Sequence, residues 1–213
     1  MKWKQIALGP LQTNGYILFQ ENGTGVMIDP GGDSEKLIQL LHRDGIKIKG
    51  ILLTHAHFDH IGAVDDIRKE FEAPVYIHQN EADWLSDPNL NGSGLFSGIE
   101  KIIIDKPDRL LTSEAPLKIE SFEFQIYETP GHSPGSVSFY IPEEKIIFSG
   151  DVLFHGGVGR TDLPGGDHET LMNTIHNKML SLPDETIVAN GHGPVTTIGQ
   201  EKEINPFING FGW

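Results

Sequence analysis

Cysteine is absent from this 213-residue chain. That excludes disulfides, a thiolate nucleophile, iron–sulfur clusters and zinc–sulfur sites. Any metal must then be bound through nitrogen and oxygen. Positive charge is scarce as well: 16 Lys and Arg face 30 Asp and Glu, a net charge of −14 with His neutral. A surface so acidic repels phosphate backbones and anionic lipid, so no nucleic acid and no membrane is expected as a partner. The stretch from Met1 to Pro10 has no long apolar run and no small-residue cleavage site. No signal peptide or membrane span is expected, which leaves the cytoplasm as the default compartment. Repeats, linkers and low-complexity segments are missing too, and the length suits a single domain, residues 1–213. Glycine, by contrast, is plentiful at 25 residues, and 38% of the chain is hydrophobic. That combination fits a globular protein with many tight turns.

Short apolar stretches at Trp3–Leu8, Tyr16–Gln20 and Gly25–Asp29 read as strands, divided by Gly9-Pro10 and Asn22-Gly23 and stopped by Pro30-Gly31-Gly32. Ser34–Asp44 reads as a helix with Ser34 as N-cap, Leu37, Leu40 and Leu41 on one face, and Gly45 at its end. Ile48–Thr54 is a buried strand, and His60–Phe71 a helix with Ile61, Val64, Ile67 and Phe71 on one side. Pro74–His78 follows as a strand and Asn89–Gly98 as a polar, Gly-rich loop. Further strands are expected at Ile102–Ile104, Phe122–Glu128, Val137–Ile141, Lys145–Ser149 and Thr186–Asn190. A long helix from His168 to Leu182 has Leu171, Ile175, Met179 and Leu182 on its inner face. Strands in groups punctuated by single helices imply an α/β protein with two sheets and helices outside, an αββα sandwich.

The densest chemistry lies at Thr54-His55-Ala56-His57-Phe58-Asp59-His60, between a buried strand and an amphipathic helix. In extended chain, residues two apart point the same way, so His55 and His57 can grip one ion. Asp59 and His60 lie at the turn into the helix and can grip a second. Isolated buried histidines are usually satisfied core residues, but four ligand types within six positions point to metal. Three later segments each end a strand with a potential ligand beside glycine: Pro130-Gly131-His132, Ser149-Gly150-Asp151 and Asn190-Gly191-His192. Glycine permits the close backbone approach such turns need.

His-x-His-x-Asp-His followed by a His, an Asp and a last His resembles the signature of the metallo-β-lactamase-fold superfamily, over roughly Thr13 to Pro206. Asp29-Pro30-Gly31-Gly32, Gly150-Asp151-Val152-Leu153-Phe154 and Gly159-Arg160-Thr161-Asp162 resemble the short members of its glyoxalase II-like branch. The resemblance implies two divalent metal ions, zinc foremost with iron or manganese as alternatives. One ion would take His55, His57 and His132, the other Asp59, His60 and His192, with Asp151 bridging. Asp59 and Asp151 are the carboxylates assigned to catalysis. Paired cations lower the pKa of a shared water, so a metal-bridging hydroxide is available at neutral pH. The implied reaction is hydrolysis of a small-molecule thioester carrying a 2-hydroxyacyl group. A thiolate leaving group, with a free pKa of about 8.5, needs little help from a general acid.

The same resemblance implies that Asp29 supports the ligand loop, whereas its position before Pro30 equally suits a turn-former. Arg160 could meet an anionic substrate but is read instead as the ion-pair partner of Asp162 or Asp167. His42, His78, His155, His168 and His176 lack the pattern and are not taken as ligands. Fold alone does not fix the reaction. Secreted zinc β-lactamases lack an Asp at the bridging position, and flavin-linked di-iron reductases carry Glu where His57 stands here. The branch also includes persulfide dioxygenases with a single iron, which keep the seven residues but ligate through two His and one Asp. On this chain those are His57 or His55, His132 and Asp151. Full-length glyoxalase II carries a C-terminal helical extension with cationic contacts to glutathione. Here 21 residues follow His192 and Lys202 is the one basic residue among them, so modest rates with glutathione esters are expected.

Overall fold

The computed structural model describes residues 1–210, which fall into two compact units. The first comprises Met1–Thr112 with Lys118–Glu123, and the second Ser113–Leu117 with the chain from Phe124 onward.

The first unit is built on a sheet of β1 (Lys2–Leu8), β2 (Thr13–Phe19), β3 (Thr24–Ile28), β4 (Lys47–Leu52), β5 (Val75–His78) and β6 (Arg109–Leu111), paired in that order. β1 to β3 run antiparallel and β3 to β6 parallel. Parallel neighbours need long crossovers. These are α1 (Ser34–Arg43) between β3 and β4, then α2 (Phe58–Ile61) and α3 (Val64–Phe71) between β4 and β5. Leu37 and Leu41 of α1, Ile61 of α2 and Val64 and Ile67 of α3 pack with Met27, Ile51, Leu53 and Val75. Burying a side chain of this kind stabilises by roughly 1.5–3 kcal/mol. Such packing fixes the C-terminal ends of β3 and β4, where the chemistry-bearing loops begin. β2 is buried along nearly its whole length, whereas β1, at the sheet edge, alternates with solvent.

Three expectations are corrected in this unit. The helix read over His60–Phe71 is two helices, because Ala63 N–H donates to Pro30 O at 2.8 Å and the chain turns at Gly62. A Cβ at Gly62 would lie 2.5 Å from Gly31 O, so only glycine fits that crossing. Ser34 is the first residue of α1 and not its cap. Asp33 occupies the cap in a left-handed conformation, and its carboxylate accepts from Gly9 N–H at 2.9 Å. Ile102–Ile104 is not a strand. Ile102 is held by Ser93 Oγ and Asn91 Nδ2, Ile104 N–H donates to Leu85 O, and the sixth strand begins only at Arg109.

In the second unit the sheet runs β14-β13-β10-β9-β8-β7. Its strands are β7 (Leu117–Ile119, reaching into the Lys118–Glu123 segment), β8 (Phe122–Glu128), β9 (Val137–Ile141), β10 (Ile146–Gly150), β13 (Ile187–Asn190) and β14 (Thr196–Thr197). β11 (Leu153–Phe154) and β12 (Gly157–Val158) form a separate small hairpin. α4 (His168–Thr174) is followed by α5 (Ile198–Ile204) and α6 (Pro206–Asn209). Leu171, Ile175, Met179 and Leu182 pack on Ile147 and Val188, the face expected from sequence. The expected single helix from His168 changes register after Thr174, where Ile175–Met179 forms a π turn closed by Leu180 N–H to Ile175 O at 2.9 Å.

Candidate metal centre

In the first unit, four of the expected ligands crowd the loop after β4 and the turn of α2 that follows it. His55 and His60 are fully buried, and His57 and Asp59 nearly so. The His55 ring lies 4.7 Å from that of His57 and 4.1 Å from that of His60, centroid to centroid. Ligand atoms of His55 and His57 come within 4.8 Å of each other, as do those of His55 and His60 and those of Asp59 and His60.

Asp29, at the end of β3, organises this loop. One carboxylate oxygen accepts from Thr54 N–H at 2.8 Å, and the other from Thr54 Oγ at 2.6 Å and from His60 Nδ1 at 3.0 Å. A carboxylate only accepts, so His60 carries its proton on Nδ1 and presents Nε2 as a ligand atom. Thr54 spends its hydroxyl proton on Asp29, so it accepts from His55 Nδ1 at 3.1 Å, and His55 too presents Nε2. Asp29 has φ 49°, a left-handed conformation that Asp tolerates better than most residues. Both readings of Asp29, support and turn-former, therefore hold. Burial of the neighbouring Tyr16 phenol and, after it, the charge of Asp29 push that phenol above its ordinary range.

Two supports carry no sequence signal. Thr13 Oγ donates to Asp59 at 2.6 Å from the start of β2. Glu81, fully buried, accepts from Ala56 N–H at 2.6 Å in the middle of the ligand loop. Glycine sets the clearance here: a Cβ at Gly31 would lie 1.9 Å from Asp59 O.

The second unit brings together His132, Asp151 and His192 from three loops. One Asp151 carboxylate oxygen lies 3.6 Å from His132 Nε2 and 3.5 Å from His192 Nε2. His132 Nδ1 donates to Arg160 O at 2.7 Å, so this imidazole also presents Nε2. The loop before His132 is braced by α4 and its extension. The carbonyls of Glu128, Pro130 and Gly131 accept from Lys178 Nζ at 2.6 Å, Thr174 Oγ at 2.8 Å and Asp167 N–H at 2.8 Å. Asp167 in turn caps α4 by accepting from Thr170 N–H at 2.7 Å, and the Thr170 side chain, with that N–H, lowers the Asp167 pKa. His192 sits in a loop fixed by Gly191 N–H to Gly150 O at 2.8 Å and Asn190 Nδ2 to Pro194 O at 2.9 Å.

Arg160 pairs with Asp162 through two hydrogen bonds of 2.7 and 2.8 Å, as expected, and holds the Asp162 carboxyl down to about 2. It is the Arg160 carbonyl that serves the site. Among the described residues, His42, His78, His155, His168 and His176 join no metal-capable group. His42 bonds to Glu70 and His155 to Gln200.

Both groups offer only imidazole nitrogen and carboxylate oxygen, with three imidazoles oriented Nε2-outward by acceptors behind them. That is a donor set suited to divalent zinc, iron or manganese. The family model of the metallo-β-lactamase superfamily matches residues 8–192, and the chain belongs to that superfamily as a metal-dependent hydrolase with the αββα fold. A probable metallo-hydrolase of Bacillus subtilis, YqgX, is 50% identical over 99% of both chains. The hydroxyacylglutathione hydrolase GloC of Haemophilus influenzae is 41% identical over 96% of both. Among solved structures, the B3 metallo-β-lactamase BLEG-1 is 57% identical with a TM-score of 0.95, over 97% of this chain and 99% of its own. TTHA1623, in a di-iron-bound form, is 42% identical with a TM-score of 0.83, over 96% of this chain and 99% of its own. No helix of the described residues is long and apolar enough to cross a membrane.

Proposed function

We propose that this enzyme hydrolyses a small 2-hydroxyacyl thioester, with His55, His57, Asp59, His60, His132, Asp151 and His192 holding two divalent ions. The observation that carries the substrate class is the full-length similarity to a hydroxyacylglutathione hydrolase. Two such ions, when bound by these residues, would supply a hydroxide nucleophile at neutral pH and polarise the substrate carbonyl. Zinc is the first candidate; the di-iron form of TTHA1623 keeps iron beside it.

The chain's own contribution is orientation. Asp29 and Thr54 lock two imidazoles in one tautomer, Arg160 O locks a third, and Thr13 fixes Asp59. No separate proton donor is required, because a thiolate leaves without one. A second reading, opening of a β-lactam ring, is favoured by the similarity to BLEG-1. It begins with the same attack on a carbonyl, but its leaving amine must be protonated.

Three assays on one metal-loaded preparation decide: thiol release from a lactoyl thioester, hydrolysis of a chromogenic β-lactam, and oxygen uptake with glutathione persulfide. Thiol release well above background, without oxygen uptake, is the expected result. Background thiol release with rapid β-lactam hydrolysis would replace this reading by the second. Rapid oxygen uptake in its place would mark a persulfide dioxygenase.

A further inference from the structure

We infer that Glu201 and Asn205, on and just after α5, form a clip that positions the metal ligands of the second unit. The inference rests on the metal-binding role proposed above. Glu201 is a fully buried carboxylate, and among the described residues its donors are all neutral: Thr196 Oγ at 2.6 Å, Gly156 N–H at 2.8 Å and Asn205 Nδ2 at 2.8 Å. Asn205, also fully buried, donates to Gly157 O at 3.0 Å as well. Together the two side chains take hold of two backbone groups at the tip of the β11–β12 hairpin, Gly156 N–H and Gly157 O.

That hairpin touches all three ligands of its unit. It leaves the sheet directly after Asp151. It returns through Gly159, where a Cβ would lie 1.9 Å from Asp151 O and 3.3 Å from the His132 Cβ. Gly159 N–H donates to Val152 O at 3.2 Å, closing the base of the hairpin. The next residue, Arg160, supplies the carbonyl that orients His132. Phe154, on the first strand, sets its ring edge-on to His192 with centroids 6.1 Å apart. A shift of the tip therefore moves the carbonyl behind His132, the backbone of Asp151 and the ring against His192 at once. A two-residue-strand hairpin has little hydrogen bonding of its own to resist such a shift. A buried carboxylate without a cationic partner is costly, which is consistent with a positioning role.

The contacts also dictate what each substitution does. In Glu201→Gln the amide can turn its NH2 to the Thr196 hydroxyl, which accepts, while its oxygen accepts from Gly156 and Asn205. Glu201→Met fills the same space and accepts nothing. The test measures zinc affinity and, in metal-free protein, the imidazole nitrogen shifts of His132 and His192. Leu182→Ala, a core truncation in the same unit that leaves every hydrogen bond of Glu201 and Asn205 in place, serves as control for general destabilisation.

Glu201→Met is expected to bind zinc about 10- to 100-fold more weakly and to shift both imidazoles. Glu201→Gln should stay near the parent, and Leu182→Ala should keep the parent's affinity and shifts despite a lower Tm. Asn205→Ala, which spares two of the three Glu201 contacts, should move the same readouts less, and it stands in should Glu201→Met not fold. Parent-like affinity and shifts in both Glu201→Met and Asn205→Ala would overturn the inference, as would equal changes in Leu182→Ala. A parent that binds neither zinc nor iron would sink the proposed function. The imidazole shifts of the metal-free variants would still decide the clip.

Discussion

The two ligand groups are built by opposite means. In the first unit, His55, His57, Asp59 and His60 lie within six positions of one loop and the helix turn that follows it, and two carboxylates, Asp29 and Glu81, brace that segment. In the second, the candidate ligands His132, Asp151 and His192 come from three distant loops. Backbone carbonyls and glycines hold them: Arg160 O behind His132, Gly150 O beneath Gly191, and Gly159 against Asp151. The first group is closed to solvent, while the side chain of His192 is 32% exposed. A contiguous group depends on a few bracing side chains it can ill spare. A dispersed group depends on the accuracy of the whole fold around it.

Asp151 tests that contrast hardest. It is the carboxylate that both His132 and His192 approach, so Asp151→Ala is expected to cost more than about 100-fold in activity. The loss should exceed that of His60→Ala in the same assay at measured metal content. An equal or larger loss in the His60 variant would show that the two groups do not differ in this way.

Asp29→Ala comes next. It removes three hydrogen bonds from the first group and puts alanine at φ 49°. Metal titration should show affinity lowered by about 10- to 100-fold. Asp29→Asn tolerates the backbone conformation and should fall between it and the parent. Parent-like binding in both variants would remove Asp29 from the account.

The smallest effect is expected at Arg160, whose carbonyl matters and whose side chain only pairs with Asp162. Arg160→Ala should change activity by less than about fivefold. Its signature is in acid. A carboxyl depressed to about 2 contributes stability that is complete above its ordinary value near 3.8 and is lost as pH falls through about 2. The Arg160→Ala carboxyl should titrate near the ordinary value, measurable by NMR at Asp162. A large activity loss in this variant would mean that the guanidinium meets substrate.

The same contrast explains what was legible in the sequence. The contiguous group announces itself, since ligand residues two and three apart leave few other readings. The dispersed ligands become visible only as a series, each beside a glycine. Thr13 and Glu81 were not legible at all, because each reaches its target from a remote segment and looks like any other polar residue. Helical periodicity placed Ile61, Val64 and Ile67 correctly in the core but ran through Gly62, where crossing backbone forces a break. At Ile102–Ile104 an apolar triplet imitated a strand, yet Ile103 is 64% exposed and its neighbours bond to the loop around Asn91. Pairings of two residues, such as β11 with β12, are too short to leave a pattern.

The most direct test of the central claim is the metal content of freshly purified protein, measured by elemental analysis before and after supplementation. Seven candidate nitrogen and oxygen ligands exceed what one four- to six-coordinate ion needs. The account predicts two ions per chain. A single ion per chain that supplementation does not raise would contradict it.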